Sequence, residues 1–93
     1  MYQIEFSHRA KKALKKLKRS GSFDINVLSI ALSVLTKGDS LSTRYKDHAL
    51  QGRLVGLREF HLGFDLLVKY ERDESLRLIT ILDIGTHPDL FGG

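Results

Sequence analysis

Three histidines in the second half of the chain, His48, His61 and His87, concentrate the chemistry the sequence offers. An imidazole takes or gives a proton near neutral pH, because its unperturbed pKa is about 6.5. His48 lies in Tyr45-Lys46-Asp47-His48-Ala49-Leu50-Gln51-Gly52, a stretch that combines a cation, a carboxylate, an imidazole and an amide and has little helix or strand character. His61 and His87 stand at the edges of segments with strand patterning, and Asp65 follows closely on His61. If the fold brings these groups together, they make a site for acid–base catalysis. Taken singly, each reads as a partly buried, hydrogen-bonded side chain, and His8 keeps that reading because it stands at a helix start away from the others. A zinc site drawn from His48, His61, His87 and Asp65 is the competing reading, and no close-spaced ligand pair supports it.

Length and composition bound what can position these groups. The 93 residues are enough for a single domain over 1–93 with one core. Cysteine is absent, which excludes disulfides, a thiol nucleophile and thiolate metal ligands, and fits a reducing cytosol. No apolar run approaches the roughly 18 residues that span a bilayer. Glu5 and the lack of an apolar N-terminal run argue against a signal peptide, so a cytoplasmic protein without membrane contact is expected.

The net charge of +4 is unevenly placed. Arg9, Lys11, Lys12, Lys15, Lys16, Lys18 and Arg19 put seven bases in one short segment with no acid among them, and the rest of the chain carries eight basic and eleven acidic residues. A solvated helix face is the plain reading. The lack of any acid for i,i+4 pairing favours a phosphate-facing surface, or a docking face for an acidic partner.

The element pattern runs in a clear order. Tyr2, Ile4 and Phe6 alternate with Gln3 and Glu5, which predicts a short strand, and Ser7 can cap the helix after it. Ala10, Ala13, Leu14 and Leu17 form the apolar stripe of a helix over 8–19, with the bases opposite. Gly21 lies in the break that follows, and Asp24 is the N-cap candidate for a second helix over 25–37. That helix is apolar over most of its circumference, so it is packed on two sides or partly exposed as a binding surface. Packing against the first helix and the sheet is the favoured reading. Residues 38–53 read as a loop. From Leu54 the period is two: Leu57, Glu59 and His61 share one face, Arg58, Phe60 and Leu62 the other, and Gly63 is the turn candidate. Further strands are expected at 65–71 and 76–84, separated by a polar turn over 72–75. The last strand is apolar on both faces and so central, and a short tail follows it. The fold class is α+β, in the order β-α-α-β-β-β, with two N-terminal helices packed on one face of a mostly antiparallel sheet and the other face open for a ligand.

With Lys46-Asp47-His48-Ala49-Leu50-Gln51-Gly52, then Arg58-Glu59-Phe60-His61, then Asp65, and Gly85-Thr86-His87 with Leu90-Phe91 at the end, the sequence resembles the YafQ-type toxins of the RelE superfamily along its whole length. The resemblance implies a RelE-like fold and the toxin half of a bacterial type II toxin–antitoxin pair. It implies an endoribonuclease that cuts mRNA on the ribosome without a metal or other cofactor. It further implies a cognate antitoxin that holds the toxin inactive, with operator DNA reached through that antitoxin. His48, His61, Asp65 and His87 match catalytic positions of the family, and Phe91 matches a C-terminal aromatic used in activity.

RNA brings its own nucleophile, the 2′-hydroxyl. A metal-free site needs a base for that proton, an acid for the leaving 5′-oxygen, and cations or donors for the phosphate. His48 is assigned as base and His87 as acid, with the reverse left open. His61 as imidazolium could bind the phosphate, Asp65 could orient a histidine, and Lys46 and Arg53 are candidate phosphate contacts. Phe91 could stack on a base. Arg58 alternates to the face opposite His61, where a structural ion pair suits it as well.

Two positions depart from the family pattern. Asp83 stands where the family usually carries an arginine, and Leu66 where it often carries tryptophan. Lys69, Arg77 and Arg53 are the cations in view to replace the missing arginine, and an Asp83→Arg change is expected to speed cleavage if that cation limits the rate. The alternative function is a catalytically weak or inactive antitoxin-binding module and operon co-repressor. A plain RNA-binding domain built on the basic helix is a third.

Overall fold

The computed structural model describes residues 1–21, 23–52, 56–63 and 65–91. The chain runs β1 (Gln3–Phe6), α1 (His8–Ser20), α2 (Ile25–Thr36), a 3-10 turn (Thr43–Tyr45), β2 (His48–Ala49), β3 (Leu57–Gly63), β4 (Leu66–Asp73), β5 (Leu78–Gly85) and α3 (His87–Phe91). The strands form one sheet in the order β1-β5-β4-β3-β2. Only the β1–β5 pair is parallel, in the register Gln3↔Leu78 to Phe6↔Ile81. The expected α+β class and element order are present, and β5 lies inside the sheet between β1 and β4, as its two-sided apolar pattern requires.

Local chemistry explains the helix limits. The Ser7 side chain accepts from the Ala10 backbone N–H at 3.0 Å and donates to the Leu82 carbonyl at 2.7 Å, so one hydroxyl caps α1 and ties its start to β5. Gly21 closes α1 in the left-handed region at φ 74°. Asp24 caps α2 through the Asn26 N–H at 2.9 Å.

Both long helices contribute to one core on one sheet face. Ala10 of α1 and Leu28, Ala31 and Leu35 of α2 join Phe60, Val68, Tyr70, Ile79, Ile81 and Ile84 of the strands. Phe60 is the aromatic centre, edge-on to Tyr45 at 6.2 Å and to Tyr70 at 5.7 Å between centroids. The α2 helix is buried along one stripe, whereas Ile30 is 59% exposed, so its apolar circumference is partly packed and partly open.

Three expectations change in detail, and a fourth falls on residues that are not described. The segment expected to be loop holds the 3-10 turn and β2, which pairs with β3 at His48↔Glu59 and Ala49↔Arg58. The expected strand start at Leu54 lies outside the described residues. The β4–β5 turn comes later, at residues 74–77, because the Asp73 carboxylate accepts from the Leu76 N–H and the Ser75 hydroxyl and Arg77 takes φ 51°. The expected tail is the helical turn α3, started by Thr86: its hydroxyl accepts from the Asp89 N–H at 3.3 Å while the Asp89 carboxylate accepts from the Thr86 N–H at 3.0 Å.

A bulge in β5 decides which face Asp83 occupies. Lys69 pairs with Asp83, but the next residue, Tyr70, pairs with Ile81, which leaves Leu82 as the extra residue. Strict alternation would put Ile79, Ile81 and Asp83 on one face. The added residue sends Asp83 to the face opposite Ile81 and returns Ile84 to the core.

Candidate active site

The first half of the site is built by β2 and β3. His48 and Glu59 are cross-strand partners, and His61 shares the Glu59 face two residues on. Nε2 of His48 lies 3.2 Å and Nε2 of His61 3.9 Å from the same oxygen, Oε1 of Glu59. The two imidazole centroids are 6.4 Å apart. The His48 Nδ1–H donates to the Lys46 carbonyl at 2.7 Å, which leaves Nε2 as the nitrogen that exchanges protons. Glu59 is only 6% exposed, and its Oε2 has no hydrogen-bond partner among the described residues.

The Lys46-Asp47-His48 segment is held in place by its middle residue. The Tyr70 hydroxyl donates to Asp47 at 2.9 and 2.8 Å from its two carboxylate oxygens, and Arg58 Nε lies 3.2 Å from Oδ1. Burial, and then the Asp47 carboxylate, push the Tyr70 hydroxyl up to about 12. Arg58 thus carries a structural ion pair on the core face. With Asp47 anchored inward and Lys46 in the left-handed region at φ 51°, the flanking Lys46 and His48 are left exposed. Beside them is a cavity of about 310 Å³ lined by Arg44, Tyr45, Lys46, His61, Leu62 and Gly63.

The second half is built by β5 and α3. The His87 and Phe91 rings meet edge to face at 4.8 Å, and the Lys69 ammonium lies 5.9 Å from the Phe91 centroid. Gly85 lets α3 fold close: a Cβ there would come within 2.9 Å of the Asp89 Cβ and Oδ2. The Thr86 backbone N–H, followed by its side chain, holds the Asp89 carboxyl below the usual carboxylate range.

One row of side chains links the halves across the second face of the sheet. His48, Glu59, Lys69 and Asp83 are successive cross-strand partners on β2, β3, β4 and β5. Asp83 accepts from the Ile84 N–H at 2.9 Å and pairs with Arg9 Nε at 2.7 Å. A separate cavity of about 420 Å³ includes Arg58 and Arg72 but none of the histidines, and both arginines are already paired, with Asp47 and Glu74.

The structure therefore brings His48 and His61 together around Glu59, and His87 together with Phe91, with Lys69 between the two groups. Lys46 borders the cavity at His61. Asp65 is exposed in the β3–β4 turn and makes no hydrogen bond or ion pair among the described residues, so the carboxylate beside the histidines is Glu59. Arg53 lies outside the described residues. Leu66 packs against the core. Sequence reasoning missed Glu59, Arg44 and Arg9 as site residues, and named Lys69 only as a substitute for the arginine absent at position 83. The shared face of Glu59 and His61 was a usable signal for the first, whereas the Lys69–Asp83 row needs the strand register. Among the described residues no group of three or more His, Cys, Asp or Glu has the arrangement of a metal site.

Comparison with known proteins gives the same answer throughout. A family model described as "Bacterial toxin of type II toxin-antitoxin system, YafQ" matches residues 2–92. The mRNA interferase toxin YafQ of Escherichia coli K12 is 33% identical over 90 residues, covering 96% of this chain and 95% of that protein. Among solved structures, a metal-bound toxin from Helicobacter pylori is 35% identical, covers 98% of this chain and 100% of its own, and superposes with a TM-score of 0.90. YafQ in the E. coli DinJ–YafQ complex is 30% identical, covers 99% and 100%, and superposes with a TM-score of 0.86. With the whole chain matched in sequence and in fold, it belongs to the YafQ family of bacterial type II toxin–antitoxin toxins.

Proposed function

We propose that this chain is an mRNA endoribonuclease, the toxin of a type II toxin–antitoxin pair, which cleaves translated messages in the cytoplasm on the ribosome. The observation that carries the reading is the arrangement of three imidazoles: His48 and His61 around Glu59 on one sheet face, and His87 on α3 against Phe91, whose ring the Lys69 ammonium approaches.

In the proposed reaction the His48 Nε2 takes the 2′-hydroxyl proton. The resulting imidazolium is held at both nitrogens, by the Lys46 carbonyl and by Glu59. The 2′-oxygen attacks phosphorus, the P–O5′ bond breaks, and His87 protonates the departing 5′-oxygen. The products are a 2′,3′-cyclic phosphate and a 5′-hydroxyl end. His61, Lys46, Lys69 and Arg44 face the phosphates. Phe91, set edge-on to His87, offers a face on which a base can stack. Asp65 and Arg53 keep, as proposals, the roles the family resemblance gives them. The Helicobacter pylori relative is described as metal-bound. Among the described residues the His, Asp and Glu side chains do not gather three ligands for a metal.

The structures of YafQ with DinJ support a cognate antitoxin as the partner of this chain, and operator DNA reached through that antitoxin is what the family resemblance implies. Primer extension on a translated message, with purified protein in chelator-containing buffer, tests the reading. Wild type should cut, and His87→Ala should cut about 10²–10⁴-fold more slowly. Equal cleavage by the two would exclude His87 as the acid. No cleavage by either would favour the inactive, antitoxin-binding alternative.

A further inference from the structure

We infer that Arg9, delivered by α1 and held by Asp83, is a further phosphate-contacting cation of this site, in the place where the family's arginine stands on β5. This rests on the nuclease reading above. Asp83 looks like a lost charge in the sequence. In the structure its carboxylate is buried and spoken for, with one oxygen on the Ile84 N–H at 2.9 Å and the other on Arg9 Nε at 2.7 Å. The Arg9 side chain is 75% exposed against 8% for Asp83, so the acid is the anchor and the guanidinium is what solvent, or a substrate, meets. Asp83 is its only acidic partner among the described residues.

Reach and position agree with this assignment. A short carboxylate plus a guanidinium on its outer oxygen extends from position 83 about as far as an arginine side chain would. The β5 bulge puts Asp83 on the face with His48, Glu59 and Lys69, directly across from Lys69, which in turn lies over the Phe91 ring beside His87. A cavity of about 360 Å³ at the pair is lined in part by Arg9, Lys16, Asp83, Gly85 and, from α3, Asp89.

The pairing also explains a local oddity. Arg9 sits in the first turn of α1, where the helix dipole disfavours a cation, and α1 has no acid in that turn. The buried Asp83 supplies the missing negative charge from another element. Of the cations the sequence offered as substitutes, Arg77 is excluded: it sits in the β4–β5 turn over the Tyr2 ring, at the opposite end of β5. Lys69 adjoins the site as a second cation.

A charge-swap series in the primer-extension assay, with thermal midpoints measured in parallel, tests the assignment. Arg9→Gln keeps a donor for Asp83 and removes the charge. It should fold as wild type does and cleave about tenfold or more slowly, as expected when one oriented donor to the reacting phosphate is lost. Asp83→Arg alone, expected from the sequence to speed cleavage, should instead be slower, because it sets two cations side by side and releases Arg9. Arg9→Ala combined with Asp83→Arg should return cleavage to near the wild-type rate, since the cation then comes from β5. Arg9→Gln as fast as wild type, or a double variant no faster than Arg9→Ala, overturns the inference while leaving the nuclease reading intact. A wild-type chain no faster than His87→Ala overturns both.

Discussion

A carboxylate removed from water must meet positive charge or hydrogen-bond donors, or it takes up a proton instead. Glu59 has no donor on Oε2 among the described residues and two imidazoles near Oε1, so one buried carboxylate oxygen is shared by His48 and His61. Glu59 is therefore the residue that joins the two histidines in the structure. Glu59→Gln preserves the shape and removes the counter-ion. Cleavage is expected to fall about tenfold to a hundredfold, with the thermal midpoint little changed or raised. A single-turnover rate equal to wild type would show that the histidines work without it. Asp47 shows the opposite division of labour: it stands between two exposed candidates, yet its carboxylate is spent on Tyr70 and Arg58. The polar stretch that drew notice in the sequence is half anchor and half site.

Among the elements, α3 has the most leverage for its size. It is five residues long and carries both His87 and Phe91. Its seat depends on the Thr86–Asp89 reciprocal cap and on Gly85, where the Asp89 side chain passes within 2.9 Å of a would-be Cβ. Gly85→Ala must push α3 away from the strand, at a cost of about 1–3 kcal/mol for the overpacking. The loss of cleavage should be larger than that stability change alone explains, because both side chains move together. A variant with wild-type cleavage would show that α3 relocates without consequence for the chemistry. The β5 bulge is the other decisive element feature, since one extra residue moves Asp83 from the core face to the site face.

For the whole molecule, the centre of the sheet and the site loop are joined through the Tyr70–Asp47 bond. The Tyr70 hydroxyl is raised from its usual value near 10 to about 12, first by burial and then by Asp47. The sign follows from linkage. A group with a raised folded-state value contributes stability in full below its unfolded value, and that contribution is lost as pH rises through the folded value. Wild type should therefore lose more stability between about pH 10 and about pH 12 than Tyr70→Phe does. At neutral pH the same variant should be less stable by about 1–3 kcal/mol, because Asp47 is left short of a partner. Denaturant midpoints across that range check both, and parallel pH profiles for the two proteins would remove Tyr70 as the source.

The sequence by itself determined the α+β class, the element order, both long helices with their caps, the interior position of β5 and the faces of β3. Each of these depends on local spacing, which alternation and capping chemistry expose directly. It also carried the family, through motifs at both ends of the site. Tertiary structure alone decided which side chains meet. The register across four strands aligned His48, Glu59, Lys69 and Asp83. The bulge chose the face of Asp83, and the packing of α1 on β5 brought Arg9 to it. Contacts between residues as far apart as Arg9 and Asp83 leave no periodic trace, because they follow from how whole elements dock. That is why the apparent loss of an arginine at position 83 reads, in three dimensions, as its relocation to α1.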